Sequence, residues 1–354
     1  DLEVGAFLSG GIDSSLIVAL ASQFQRKLKT FTVKFDGAND ESDLAKLTAK
    51  KYSTDHNEIN ISYNLKNDIE KILLNYGQPF ADSSAVPSYY VSKEAKKHVT
   101  VILNGDGADE LFGGYRRYVP ASLKILDIAS KINFIRKFLP MPSKDRSLYG
   151  FIYRLIGLSS KESIDFYLSS TSDIFEDVLS IENNNITNRT TALLKEIESS
   201  SFSKLNQMLY SDFILLLRSD LLIKMDIATM ANSIEARSPF LSKYILEIAP
   251  RVPDNLKINN LNTKHILKKI ALKYLPTTIV KQPKRGFEVP LRKWVDEELK
   301  SPIRDLLNQE SHCSNLLGWN FIESLLKGKE KVSSRKRSKM LWSMYCLEVW
   351  LKNR

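Results

Sequence analysis

Two cysteines, Cys313 and Cys346, are all that 354 residues contain, and they form no C-x-x-C pair. Only His312 of the four histidines lies near either of them. A structural zinc site is therefore not supported, and a reduced, cytoplasmic protein is expected. Long hydrophobic runs are also missing. "FILLL" at 213–217 is typical of those present, far short of the roughly 20 residues that span a bilayer. No basic-then-apolar leader precedes the first strand signal. The chain starts at Asp1, eight residues before Ser9, so the expectation is a piece excised from a longer protein, with any upstream signal out of view. The first strand-and-turn region has no Gly-Lys-Ser/Thr, which excludes a Walker A loop. Gly-x-Gly-x-x-Gly is absent as well, which disfavours a dinucleotide fold.

What is present is a chain with 43% hydrophobic residues and a net charge of +10. That length and apolar content suit a large core in two lobes. Much of the positive excess sits in "KGKEKVSSRKRSK" (327–339), read as a solvated loop. No stretch interleaves basic and aromatic residues as a nucleic-acid surface would. Neither nucleic acid nor membrane is expected as a partner.

The first third alternates strand and helix signals. "VGAFL" (4–8), "TFTVKF" (30–35), "HNEINI" (56–61) and "VTVIL" (99–103) read as strands. Helical spacing covers 14–24, 41–51, 65–76 and 84–97. This pattern predicts right-handed crossovers and a parallel sheet with helices on both faces. After Tyr118 strand signals largely vanish, and helical segments such as 205–224 and 263–275 follow. The polar stretch "SIENNNITNRT" (180–190) reads as a loop. Leu341, Trp342, Tyr345, Val349 and Trp350 recur at spacings near three and four, a stripe suited to core packing.

"FLSGGIDSSL" (7–16) places two glycines between a buried strand and a helix. Such a turn aims backbone N–H groups at one point, and the helix start adds partial positive charge. Gly10 and Gly11 let an oxyanion approach the backbone, and Ser9, Ser14 and Ser15 add hydroxyls. Asp13 beside bound phosphates makes sense with Mg²⁺ between them. This S-G-G-x-D-S pattern resembles the loop of the pyrophosphate-loop ATPases, which cleave between the α- and β-phosphates. A second loop, "NGDGADELFGGY" (104–115), packs Asp106, Asp109 and Glu110 among four glycines. Three acids so close need a cation. If both loops open at one sheet edge, Asp13 and Asp109 are placed to share magnesium.

Together with "QPFADSSAVPSYYVSKEAKKH" (78–98), "DLLIKMDIATMANSIEARSPFL" (220–241), "PKRGFEVPLRKW" (283–294) and the Leu-Trp…Glu-Val-Trp-Leu ending (341–351), these motifs resemble the C-terminal synthetase domain of the glutamine-hydrolysing asparagine synthetase family. The resemblance implies an α/β fold like that of the adenine nucleotide alpha hydrolases. Residues 1–118 would form the ATP-binding core, and a mostly helical region, 119–354, would complete the active site. It implies ATP and Mg²⁺ as cofactors, with adenylation of the aspartate β-carboxylate and ammonia attack giving asparagine, AMP and pyrophosphate. Ser9, Gly10, Gly11, Asp13, Ser14 and Ser15 would hold pyrophosphate and its metal. Phe7, Val33, Asn104 and Gly105 would contact adenosine. Asp13 and Asp109 would be the metal carboxylates. Lys284 matches the family's catalytic lysine, and Asp106 occupies the position that contacts the amino-acid part of the intermediate.

Four positions depart from the family pattern: Asp106 for Glu, Ile227 for Arg after the Lys-x-Asp motif, Ser242 for the Asp of Pro-Phe-Leu-Asp, and Asn57 for a second His. They leave the ATP chemistry intact and bear on the acceptor, so a sugar carboxylate, a β-lactam precursor or a peptide stands as the alternative to aspartate. The resemblance further implies a glutaminase domain, in the same full-length chain or in trans, as the source of ammonia. No cysteine precedes 313 to perform that step here. A homodimer is compatible with the chain. Transfer-RNA modification is disfavoured by the lack of a cysteine pair. A non-catalytic nucleotide sensor is disfavoured by retention of Asp13, Asp109 and Lys284.

Overall fold

Alternating strand and helix signals in the first hundred residues become elements close to the expected places. The computed structural model describes residues 3–34, 41–60, 65–122, 184–282, 289–330 and 332–354, plus 139, 140, 149, 153, 156, 167, 168, 171, 174 and 175. Strands β1 (Val4–Phe7), β2 (Lys29–Lys34), β3 (Asp55–Asn60), β4 (Val101–Leu103) and β5 (Glu235–Arg237) form one sheet, ordered β3-β2-β1-β4-β5. Every pairing is parallel. The order turns back at β1, whose neighbours are β2 and β4, so a crevice opens there beyond the strand ends. Ala6 lies opposite Leu103, which sends the two following loops out at the same edge.

Helices α1 (Ile12–Ala21), α2 (Ser42–Tyr52), α3 (Leu65–Leu74) and α4 (Ala85–Ala95) connect the first four strands. Both faces of the sheet are covered, as continuous apolar strands require. Ala6, Leu8 and Leu28 pack with Val18 of α1 and with Ala45 and Ala49 of α2. Phe31, Val33, Ile59 and Ile102 pack on the other side with Val91 and Ala95 of α4.

The fifth strand carries no apolar run, which is why the sequence hides it. Glu235 and Arg237 point outward and pair with each other at 2.8 Å. The strand is held instead by its backbone, Glu235 N donating to Thr100 O and Asn104 N to Arg237 O, with fully buried Ile234 just before it. The expected loop at 180–190 also differs. From Asn184 it is helical, within α6 (Asn184–Glu198). Leu194 and Ile197, one turn apart and buried, anchor that helix and override the weak propensity of its asparagines.

Short helix α5 (Ala108–Phe112) follows β4. Further on, α7 (Lys204–Asp212) runs through a nine-residue π-helical stretch, Phe213–Leu221, into α8 (Leu222–Met230). Fully buried Asp212 fixes this path to the segment after α5, accepting hydrogen bonds from Arg117, Tyr118 and Tyr167. Helix α9 (His265–Ala271) follows, and α10 (Ser334–Lys352) closes the described chain. Leu341, Trp342, Tyr345 and Val349 of α10 are buried against Leu65, Ile69 and Ile72 of α3, as their spacing predicts, whereas Trp350 at the end of the stripe is half-buried and donates to Gly77 O at 3.2 Å. Cys313 and Cys346 are buried and unbridged. Among the described residues no helix is long and apolar enough to cross a membrane.

Candidate active site

The turn after β1 is built as a cup. Ser9 N donates to Ser14 Oγ at 3.1 Å, the two serine hydroxyls lie 2.9 Å apart, and Gly11 N donates to Ser9 Oγ at 3.2 Å. These bonds fix the turn so that the first-turn N–H groups of α1, which lack acceptors inside the helix, face the sheet edge. A Cβ on Gly10 would sit 2.7 Å from Leu44 Cβ and 2.9 Å from Glu41 O, so only glycine lets α2 start this close. Ser15 is different. It is fully buried and its hydroxyl accepts from Thr48 Oγ1, which turns the side chain into the seam between α1 and α2, away from the loop. Phe7 ends β1, and buried Val33 stands one residue from the end of β2.

The second loop leans on the first. A Cβ on Gly105 would lie 3.0 Å from Asp13 Cβ and 3.2 Å from Ser14 N. Buried Asn104 organises its neighbours: its Nδ2 donates to Asp106 Oδ2 at 2.8 Å, and its Oδ1 accepts from Ser238 Oγ at 2.5 Å. Glu110 is buried and accepts from the Tyr115 hydroxyl at 2.5 Å. The three acids of the loop thus point to three different partners, which relieves the repulsion their spacing suggests.

The third partner is a lysine that sequence reasoning passed over. Lys264 Nζ lies 2.5 Å from Asp13 Oδ2 and 2.6 Å from Asp109 Oδ1, with only 4% of its side chain exposed. Burial acts against its charge, but the two carboxylates outweigh burial and raise its pKa, so it stays an ammonium. Asp13 and Asp109 therefore meet at one nitrogen. The fourth glycine of the loop exists for this contact. A Cβ on Gly114 would fall 1.7 Å from Asp109 Oδ1 and 2.4 Å from Lys264 Cε. Nothing local marks Lys264 in "NTKHILKK"; the left-handed backbone it adopts just before α9, at φ 51°, is set by distant contacts.

The donor set is one that magnesium accepts. Asp13 Oδ1 is buried without a hydrogen-bond partner, beside the oxygen bound to Lys264. Among the described residues no cluster of three or more metal-ligating side chains occurs. Mg²⁺ does not need one, since it is commonly bound by one or two carboxylates with substrate phosphates and water.

Beyond Asp106 lies a second buried lysine. Lys224 of α8 donates to Asp82 Oδ2 at 2.9 Å, and Asp82 Oδ1 accepts from Ser84 N and Oγ at the start of α4. Burial opposes the charge on Lys224, while Asp82, Asp220 and Asp106 raise its pKa. Asp220, in the π-helical stretch, is pushed up to about 6 by burial and by Asp82. Asn104, Asp106, Asp226 and Ser238 line a cleft of about 330 Å³ on the other side. Ile227, where the family pattern has Arg, packs beside the stacked Tyr76 and Phe80. Lys284 lies outside the described residues.

The family model described as asparagine synthase matches residues 1–352. The chain belongs to the asparagine synthase family. It is 36% identical over 99% of its length to the glutamine-hydrolyzing asparagine synthetase 1 of Bacillus subtilis, covering 56% of that protein. A putative glutamine-hydrolyzing asparagine synthetase of Mycobacterium tuberculosis is 32% identical over 99% of the chain and 54% of its own length. A shorter match, 39% identical over 143 residues, links it to a putative glutamine-hydrolyzing asparagine synthetase 2 of Methanocaldococcus jannaschii, covering 39% of the chain and 26% of that protein. The chain thus spans about half the length of the first two relatives. Membership supports an ATP-dependent, amide-forming synthetase.

Proposed function

We propose that this chain adenylates a carboxylate, most simply the side chain of aspartate, and transfers ammonia to it, releasing AMP and pyrophosphate. The observation that supports the reading best is the meeting of Asp13 and Asp109 at Lys264, where two loops from one sheet edge share a single buried charge centre.

Ser9, Gly10, Gly11 and Ser14, with the first-turn N–H groups of α1, orient the β- and γ-phosphates. Ser15 contributes its backbone and the packing of α1 rather than its hydroxyl. Phe7, Val33, Asn104 and Gly105 line the adenosine side of the same edge. Asp13 and Asp109 would hold Mg²⁺, which neutralises phosphate charge when bound. Lys264 holds both carboxylates in position and offsets one of their two charges, next to where pyrophosphate accumulates charge as it leaves. Asp106, oriented by Asn104, faces the acceptor. Lys284 stabilises the extra negative charge that develops on phosphorus and then on the carbonyl oxygen. Ammonia comes from a glutaminase domain of the full-length chain or of a partner; the isolated chain uses ammonium salts.

The test is pyrophosphate release from ATP, Mg²⁺ and ammonium, with aspartate and with other carboxylic acids. Release that depends on both the acid and ATP is expected, and its absence with every acid despite tight ATP binding refutes the reading. Lys284→Ala is expected to abolish turnover while sparing ATP binding; near-normal turnover removes Lys284 from its role.

A further inference from the structure

A cavity of about 950 Å³ lies next to the proposed site and outside the nucleotide loops. Its walls come from residues 79–83 before α4, Ile174, Ser219 and Asp220 of the π-helical stretch, Val289–Arg292, and residues 334–343 of α10. Val289 and Pro290 follow directly on the segment that carries Lys284. Asp82 and Asp220 line the cavity, and Lys224, which binds Asp82, also feels the charge of Asp106. The cavity therefore adjoins the acceptor side of the site.

Two properties of the cavity do not suit a free amino acid. The first is size, since volumes of roughly 300–1,000 Å³ house drug-sized ligands and an amino acid fills a small part of one. The second is charge. Arg335 and Lys339 stand one helical turn apart on α10, and both line the cavity. Among the described residues neither has an ion-pair partner within 4.0 Å. Like charges at this spacing repel only weakly, with Arg335 exposed and Lys339 half-buried, and an anion between them removes that repulsion. Burial and the neighbouring Arg335 lower the pKa of Lys339, so its ammonium is not the freely solvated end that the run at 327–339 suggests. Of the carboxylates opposite, Asp82 is paired with Lys224, which leaves Asp220, its pKa raised to about 6 by burial and by Asp82, as the one acid facing these cations. Asp220 Oδ1 is buried without a partner, and Ser338 and Ser343 line the same space, which suits a hydroxyl- or amide-rich molecule.

We propose that this cavity binds the body of the acceptor, and that Arg335 and Lys339 hold a second anionic group on it. The acceptor is then an extended acid, with the carboxylate to be amidated at one end and a phosphate or second carboxylate at the other. This rests on the adenylating chemistry proposed above and replaces only its simplest acceptor.

Matched pairs of acids test it in the pyrophosphate-release assay. Glucuronic acid 1-phosphate against glucuronic acid forms the phosphate arm, and aspartyl-glutamate against aspartyl-alanine amide forms the carboxylate arm. In at least one arm the acid with the distal anion is expected to exceed both its neutral partner and aspartate at least tenfold in kcat/KM. For that acid, Arg335→Ala with Lys339→Ala raises the acceptor KM at least tenfold and leaves the ATP KM within twofold. Arg335→Lys recovers most of the loss, which separates charge from folding. Aspartate serving as well as every distal anion, or an unchanged acceptor KM in the double variant, overturns the inference while leaving the adenylating reading in place. No release with any acid overturns both.

Discussion

Two buried lysines, each set between aspartates, behave differently, and the difference separates the two ends of the site. Lys264 bridges Asp13 and Asp109 in a closed triad joining the loops after β1 and β4. Lys224 is bound to Asp82 with Asp220 nearby, and both aspartates open onto a large cavity. In the closed triad one ammonium serves two carboxylates at bonding distance. In the open one a single close pair forms, and Asp220 is left with its pKa raised to about 6. A tight triad suits a site for multiply charged phosphates, which need charges held in fixed positions. The open cluster suits an acceptor that supplies the missing hydrogen bonds itself.

The comparison breaks most visibly if Lys264 is dispensable. Lys264→Met leaves Asp13 and Asp109 buried without their cation, and removing one member of a buried pair costs roughly 3–5 kcal/mol. Urea unfolding is expected to show that loss, and pyrophosphate release to fall at least about 100-fold, the scale of losing a placed charge. A variant as stable and active as the parent ends the idea of a shared charge centre. Gly114→Ala attacks the same triad sterically, because the new methyl would overlap Asp109 Oδ1. A shift of the urea midpoint corresponding to about 1–3 kcal/mol is expected. An unchanged midpoint means Asp109 has room to move.

The smallest effect probes the open cluster. Folded Asp220 keeps its proton up to about pH 6, whereas an unfolded aspartate releases it near 3.8. Between those values the folded state binds more protons, so this group's contribution to stability falls as pH rises and its penalty is complete above pH 6. Asp220→Asn removes the penalty. Its melting temperature relative to the parent is expected to climb from pH 4 to pH 6 and level off above. A flat difference across that range shows that Asp220 ionises normally.

The nucleotide loops were legible because close backbone approach demands rare residues. Gly10 and Gly114 stand where any Cβ collides, and acids crowded among glycines announce a charge site. Strands β1, β2 and β4 were legible through their apolar runs and β3 through its place in the strand-helix alternation, whereas β5 has Ala236 alone between two charged residues and no such place. Lys264 was not legible. It is one of 51 lysines and arginines, and its partner Asp13 is 251 residues away. Lys224 and Asp82 lay within motifs that matched the family, but their pairing spans 142 residues and leaves no local trace. A patterned backbone is readable from neighbours in the chain; an ion pair depends on where the chain returns.

The lateness of β5 has a consequence for biogenesis. Val101 pairs with Glu235, so β4 stays an open border on the emerging polypeptide until 134 further residues have been translated. At roughly 5–20 residues per second that is on the order of ten seconds of exposed backbone donors and acceptors, a window in which a nascent chain is prone to bind the wrong strand or a chaperone.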